Sequence, residues 1–143
     1  MEKKAGIRCG SIVLDGLIAL PQTGAGPGAV VCHPHPLYGG CMHNNVVEAI
    51  LAAYWRAGWA TLRFDFRGTG SSGGVHGHGV AELDDVAAAV GHLAAEAGPG
   101  GMEVAGYSFG AAVGLRAGMD DPRVTALVGV ALPVGMIDCS LLE

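Results

Sequence analysis

The chain has 143 residues, half of them hydrophobic, and its 8 lysines and arginines against 13 aspartates and glutamates give a formal charge of −5. This composition predicts one mildly acidic domain that spans residues 1–143. The basic residues are scattered, which argues against nucleic acid as a partner. The apolar runs are shorter than the roughly 20 residues needed to cross a bilayer, and the charged start is unlike a signal peptide. We therefore expect a cytoplasmic protein without a membrane partner.

Glycines divide the chain into short segments that alternate between strand and helix patterns. Residues 7–20 alternate or run apolar around Gly10 and the Asp15-Gly16 pair, which predicts two short strands joined by a tight turn. The other predicted elements are, in chain order, a strand at 29–32, a helix at 45–57, a strand at 59–66, a helix at 80–95, a strand at 102–106, a helix at 109–117 and a strand at 124–132. Such alternation predicts parallel βαβ units, and hence an α/β sheet covered by helices on both faces.

Helical periodicity is clear in residues 80–95. The apolar positions that predict its buried face are Leu83, Val86, Val90 and Leu93. The acidic residues Glu82, Asp84 and Asp85 are expected to face solvent.

Residues 106–110 have the sequence Gly-Tyr-Ser-Phe-Gly, which fits the G-x-S-x-G pattern of a nucleophile elbow. The pattern stands between a predicted strand and a predicted helix, so Ser108 is expected on a sharp, strained turn. Side chains at the two glycines would collide as the strand doubles back into the helix. The Ser108 hydroxyl could attack a carbonyl carbon, and the Phe109 N–H would then point at the resulting oxyanion. The alternative is an ordinary glycine-rich turn between a strand and a helix.

Three linked motifs carry a resemblance to a known family. They are His-Pro-His-Pro-Leu-Tyr-Gly-Gly at 33–40, Leu-Arg-Phe-Asp-Phe-Arg-Gly-Thr-Gly-Ser-Ser-Gly at 62–73, and the elbow at 106–110. In this order and spacing, the sequence resembles the α/β-hydrolase superfamily, specifically the small hydrolases akin to dienelactone hydrolase, over essentially the whole chain. The resemblance implies a three-layer sandwich of the α/β-hydrolase type with a mostly parallel sheet. It also implies that the loop at 33–40 gives a second backbone N–H to the oxyanion hole, with His35 favoured over Leu37 and Tyr38.

The same resemblance identifies what the sequence does not contain. In this superfamily the nucleophile is followed along the chain by an acid and then by a histidine, but no histidine follows Ser108. Asp138 precedes the place where the acid-bearing seventh strand would begin. We therefore expect a sheet truncated after about the sixth strand, with the catalytic acid and histidine outside this chain. A dyad of Ser108 with His33, His35 or His43 is the alternative.

The expected function is that of a serine hydrolase which cleaves a carboxylic ester, thioester or lactone through an acyl-enzyme on Ser108. The isolated chain is expected to be inactive, because proton transfer by a positioned base contributes about 10² to 10⁴ in rate. A non-catalytic fragment or a small-molecule-binding protein that keeps the fold is the alternative function. The unpaired sixth strand would also favour self-association.

Other classes of site find little support in the sequence. The glycines of the 68–73 turn match a dinucleotide fingerprint, but the acidic residue that the fingerprint requires would fall inside a helix. The histidine pairs His33/His35 and His76/His78 lie in loops without a convergent carboxylate motif. The four cysteines form no C-x-x-C pair. We therefore expect neither a cofactor nor a metal.

Overall fold

The computed structural model describes residues 1–22 and 24–135. The elements are, in chain order, β1 (Lys3–Cys9), β2 (Ile12–Ala19), β3 (Gly28–Cys32), a 3₁₀ turn (Pro36–Tyr38), α1 (Asn45–Arg56), β4 (Ala60–Phe64), α2 (Glu82–Ala97), β5 (Met102–Tyr107), α3 (Phe109–Met119) and β6 (Val124–Val130). From β3 onward, the predicted strands and helices are all found and differ only at their ends. β6 ends at Val130, two residues earlier than predicted, because Ala131 adopts a positive φ of 50° that interrupts the strand.

The strands form a six-stranded sheet in the order β1-β2-β4-β3-β5-β6. The first two strands pair antiparallel, and β2 pairs antiparallel with β4, whereas β4, β3, β5 and β6 run parallel. Every residue of β3 and β4 is buried, as is typical of parallel strands that are covered on both faces. The prediction of a mostly parallel α/β sheet is confirmed.

Val30 and Val31 show how the sheet is covered. Val30 belongs to a core cluster with residues of α2 and α3, while Val31 packs with Val47 and Leu51 of α1. Because successive strand residues point to opposite faces, α1 lies on one face of the sheet, and α2 and α3 lie on the other. The result is the predicted three-layer sandwich. Among the described residues, we find no helix that is both long and apolar enough to cross a membrane.

The N-terminal hairpin differs from the prediction in its extent. β1 begins at Lys3, earlier than expected, and the tight turn lies at Gly10, whose φ is 57°. Asp15 and Gly16 lie inside β2 rather than at a turn. A Cβ at Gly16 would come within 3.0 Å of the Arg63 carbonyl oxygen, so glycine at this position permits the close pairing of β2 with β4.

The prediction for the start of α2 was wrong for two of its three acidic residues. Asp84 is exposed as expected, but Glu82 and Asp85 are completely buried. The Asp85 carboxylate accepts hydrogen bonds from the backbone N–H, Nε and Nη2 of Arg67, at 3.0, 2.9 and 2.6 Å. These hydrogen bonds raise the pKa of the Arg67 guanidinium. The acidic side chains turn inward because their partners lie on the long connection between β4 and α2. Helical periodicity cannot predict such contacts, because it concerns only residues within the helix.

We expect Asp85→Ala to lower the free energy of unfolding by about 3 kcal/mol, because it leaves the Arg67 guanidinium without its buried partner. Asp84→Ala removes an exposed carboxylate one position earlier and is the matched control, expected to change stability by less than about 1 kcal/mol. Urea unfolding followed by circular dichroism measures both values. Equal losses in the two variants would contradict the role given to the buried pair.

In the part of the chain that the structure describes, β6 is the edge strand and pairs with β5 alone. Its residues are half-buried or exposed, and Val128 keeps 39% of its surface accessible. No lysine or proline interrupts the strand, and such an edge is a template for another strand. Residues 136–143, which include Asp138, lie outside the described residues. Self-association through β6 stays a prediction.

We expect the chain to elute from a sizing column with the mass of a dimer or a larger oligomer at micromolar concentration, as determined by light scattering. Val128→Lys places a charge on the edge and is expected to lower the associated fraction. Val13→Lys is the matched control, because Val13 is 50% exposed but lies on β2, which has neighbours on both sides. A wild-type chain that stays monomeric would rule out pairing through β6.

Candidate active site

Ser108 connects β5 to α3 in a backbone conformation that residues other than glycine rarely adopt. Its φ is 55° and its ψ is −117°. The turn is fixed on both sides, because the Ser108 N–H donates to the Val130 carbonyl at 2.9 Å and the Ala112 N–H donates to the Ser108 carbonyl at 3.1 Å. A conformation of this kind costs about 1–3 kcal/mol and is found mainly at functional sites. The backbone therefore has the strained turn that the G-x-S-x-G pattern predicts.

The two glycines of the motif are required by two different close approaches. A Cβ at Gly106 would overlap the backbone of Gly110 and Ala111, where the chain doubles back into α3. A Cβ at Gly110 would instead overlap the carbonyl groups of Cys32 and His33. The first glycine thus admits the reversal of the chain, as predicted, whereas the second admits contact between α3 and the end of β3.

This contact brings the first residue of α3 beside the loop that follows β3. The Phe109 and His35 rings lie 4.7 Å apart, centroid to centroid. The N–H of Phe109 is one of the donors at a helix start that lack an acceptor within the helix. Among the described residues, neither this N–H nor the N–H of His35 has a hydrogen-bond acceptor. The start of α3, where the helix dipole is positive, therefore lies next to Ser108 and beside the loop that follows β3.

Hydrogen bonds distinguish among the three candidates for the second donor. The Leu37 N–H donates to Nδ1 of His35 at 3.2 Å, and the Tyr38 N–H donates to the His35 carbonyl at 3.1 Å. The N–H groups of Leu37 and Tyr38 therefore already have acceptors. By elimination, this favours the His35 N–H as the candidate for the second donor. Burial, followed by the nearby His76, lowers the pKa of the His35 imidazole, so its ring is neutral at pH 7 with the proton on Nε2.

His33 has no ring nitrogen free to serve as a base. The completely buried imidazole accepts the Phe66 N–H on Nε2 at 3.0 Å, and its Nδ1 lies 2.6 Å from the Pro34 carbonyl oxygen. These contacts place the ring proton on Nδ1, and burial lowers the pKa of His33 so that the ring stays neutral. His33 therefore joins the end of β3 to the end of β4. Of the other candidates for a dyad, His43 is exposed on the surface.

Asp65 holds the loop that follows β3 in place, a role that the sequence did not reveal. Its carboxylate accepts the Met42 N–H at 2.8 Å, where both groups are buried. Its carbonyl accepts the Ser72 hydroxyl at 2.6 Å, and the same hydroxyl accepts the Asp15 N–H at 2.8 Å. A Cβ at Gly70 would overlap the Asp65 carboxylate. The glycine-rich turn at 68–73 thus wraps around Asp65. The resemblance of the 62–73 motif to the family is the signal that could have identified Asp65 from the sequence.

His76 differs from the expectation of a loop histidine without a carboxylate partner. Its Nδ1 lies 3.2 Å from a carboxylate oxygen of the buried Glu82. Its ring lies 5.3 Å from the ring of His35, 4.9 Å from that of His78 and 5.8 Å from that of Phe109. Across residues 1–22 and 24–135, no group of three or more histidine, cysteine or acidic residues is arranged to hold a metal ion.

The Hydrolase_4 family, described as serine aminopeptidase, S33, matches residues 27–138. The chain belongs to this family. The match covers the loop after β3, the motif at 62–73 and the elbow, and the prediction of the α/β-hydrolase superfamily is confirmed. The closer likeness to dienelactone hydrolase stays a prediction.

Solved α/β hydrolases share both the fold and part of the sequence. A serine hydrolase homologue from Coxiella burnetii is 34% identical with a TM-score of 0.84, covering 92% of this chain and 64% of that one. A putative α/β hydrolase of unknown function from Agrobacterium tumefaciens is 33% identical with a TM-score of 0.89, covering 100% of this chain and 65% of that one. A serine hydrolase without a lid from Xanthomonas campestris is 34% identical with a TM-score of 0.88, covering 97% of this chain and 65% of that one.

A curated relative, an uncharacterized protein from Rickettsia prowazekii, is 34% identical over 126 residues, which are 87% of this chain and 52% of the relative. The chain therefore spans about half the length of that relative and about two thirds of each of the three solved hydrolases.

We expect Ser108→Gly to raise the free energy of unfolding by about 1 kcal/mol, because glycine relieves the strain at φ 55° by more than it adds to the entropy of the unfolded chain. Ser108→Ala keeps the strain and serves as the control, with a stability close to that of the wild type. Urea unfolding compares the three proteins. A glycine variant no more stable than the alanine variant would show that the turn is not strained.

Proposed function

We propose that this chain carries the nucleophile and the oxyanion hole of a serine hydrolase that acts on a carboxylic ester, a thioester or a lactone. The observation that supports this most directly is the strained position of Ser108 at the start of α3, next to Phe109, whose ring packs against His35 of the loop after β3. Membership of the Hydrolase_4 family agrees with it. We further propose that residues 1–143 form one domain akin to the small dienelactone hydrolases, and that the protein is cytoplasmic.

In the proposed reaction, Ser108 Oγ attacks the carbonyl carbon of the substrate and forms a new C–O bond. The carbonyl oxygen becomes an oxyanion and accepts hydrogen bonds from the N–H groups of Phe109 and His35. The Oγ proton passes to a base and then to the departing alcohol or thiol as the bond to the leaving group breaks. Water then hydrolyses the acyl group on Ser108 and restores the hydroxyl. Backbone donors of this kind are worth about 10² to 10³ each in rate.

The base is the one participant in this mechanism that we assign outside the chain. No histidine follows Ser108 in the sequence, and both ring nitrogens of His33 are already engaged. We propose that the catalytic acid and histidine lie outside these 143 residues, and that the isolated chain turns over substrate very slowly. The absence of a histidine after Ser108 also favours the alternative of a small-molecule-binding protein that keeps the fold without the chemistry.

We expect an alkyl fluorophosphonate to form one covalent adduct per chain, mapped to Ser108 by peptide mass spectrometry. Because the reagent carries a good leaving group, this single step proceeds even without a general base, although slowly. Turnover of p-nitrophenyl acetate should be no faster than that of Ser108→Ala, because hydrolysis of the acyl group requires the missing base.

Ser108→Ala is also the control for labelling and should remain unmodified. A wild-type chain that stays unmodified at Ser108 would favour the binding protein over the hydrolase. Fast turnover that depends on Ser108 would instead show that a histidine of this chain serves as the base.

A further inference from the structure

Three rings from three separate segments meet beside the elbow. His35 comes from the loop after β3, Phe109 from the first turn of α3, and His76 from the connection that leads into α2. The ring centroids are 4.7 Å apart for His35 and Phe109, 5.3 Å for His35 and His76, and 5.8 Å for His76 and Phe109. The side chains of the two residues proposed as oxyanion donors therefore pack against each other and against the same third ring.

His76 lies beside a carboxylate that is buried at the start of α2. Glu82 is completely buried at the start of α2, and its two oxygens accept the N–H groups of Gly77 at 2.6 Å and Gly79 at 2.8 Å. One of these oxygens lies 3.2 Å from His76 Nδ1. A buried carboxylate is stable when hydrogen bonds and a partner charge compensate its loss of hydration. Glu82 thus ties residues 77–79 to the start of α2.

The connection also packs directly on Phe109. A Cβ added at Gly79 would lie 3.5 Å from the Phe109 ring, in ordinary van der Waals contact. Residues 76–79 therefore run close to the Phe109 ring. A displacement of this segment would move the start of α3.

The ring of His76 contributes little through hydrogen bonding. Its side chain is 11% exposed, and neither Nδ1 nor Nε2 has a hydrogen-bond partner of good geometry among the described residues. Buried polar atoms without a partner reduce stability. An imidazole that lacks such bonds acts at this place mainly through its shape and its packing against the neighbouring rings.

Resting on the proposed function, we infer that His76 is a positioning residue that supports His35 and Phe109, the two residues whose N–H groups are the proposed oxyanion donors. Its ring packs against the rings of both residues, which also contact each other directly. Donors in an oxyanion hole must lie close to 3 Å from the developing charge, and small displacements of a reacting group cost large factors in rate. Removal of this ring therefore reduces oxyanion stabilisation without touching Ser108.

The test is the kinetics of Ser108 phosphonylation by an alkyl fluorophosphonate, followed by intact mass spectrometry. In this step Ser108 Oγ forms a bond to phosphorus, the P–F bond breaks, fluoride leaves, and the Oγ proton passes to water. The phosphoryl oxygen occupies the oxyanion hole as the bond forms. Saturation kinetics separate the dissociation constant of the reagent from the first-order rate of bond formation, and the final adduct yield reports the folded fraction.

We expect His76→Asn to lower the first-order rate of bond formation about ten-fold or more, with little change in the dissociation constant or in the final yield. His76→Phe keeps a ring in the same space and is expected to restore the rate to within about three-fold of the wild type. A three-fold change in rate corresponds to less free energy than a typical hydrogen bond contributes. His43→Asn replaces an exposed histidine outside the ring cluster and is the matched control.

Three results would overturn the inference. Equal first-order rates in wild type and His76→Asn would show that the ring has no positioning role, while an adduct on Ser108 would leave the proposed function standing. A His76→Asn variant with a lower yield and an unchanged rate would show a purely structural role. A wild-type chain with no adduct on Ser108 would overturn the proposed function together with this inference.

Discussion

The contact between the start of α3 and the end of β3 is the constraint on which the site depends. It exists because residue 110 is a glycine, since any side chain there would overlap the carbonyl groups of Cys32 and His33. This approach brings the Phe109 ring against the His35 ring, where α3 meets the loop that follows β3. The strained φ of Ser108 follows from the same geometry, because the chain must reverse between β5 and α3 within one residue.

A second layer of polar contacts holds the loop that faces this elbow. His33 accepts the N–H of Phe66, and Asp65 accepts the N–H of Met42, so the ends of β3 and β4 are tied to each other and to the loop. Ser72 then joins Asp65 to β2 through one hydroxyl. Hydrogen bonds thus connect the motif at 62–73 to the motif at 33–40 and to the loop that follows it.

The sequence predicted the helices and strands from β3 onward, because their apolar residues repeat with the period of the element they form. It also predicted the elbow, because a serine flanked by two glycines at the junction of a strand and a helix is typical of a sharp, strained turn. The burial of Glu82 and Asp85 was missed, because their partners, Arg67 and the turn at 77–79, lie outside the helix and leave no mark on its periodicity. The pairing of His76 with Glu82 was missed for the same reason, since it depends on the path of an irregular connection.

The order of the strands has a consequence for the time course of folding. β3 lies at the centre of the parallel part of the sheet, yet both of its neighbours, β4 and β5, come later in the chain. Each edge of β3 is therefore paired only after a long loop has closed, and such non-local pairings slow folding. During synthesis, the loop at 33–40 leaves the ribosome well before the elbow that it packs against. The edge of β3 that pairs with β5 and the face that α3 covers thus stay exposed until residue 110 has emerged, a period in which a chaperone would protect them.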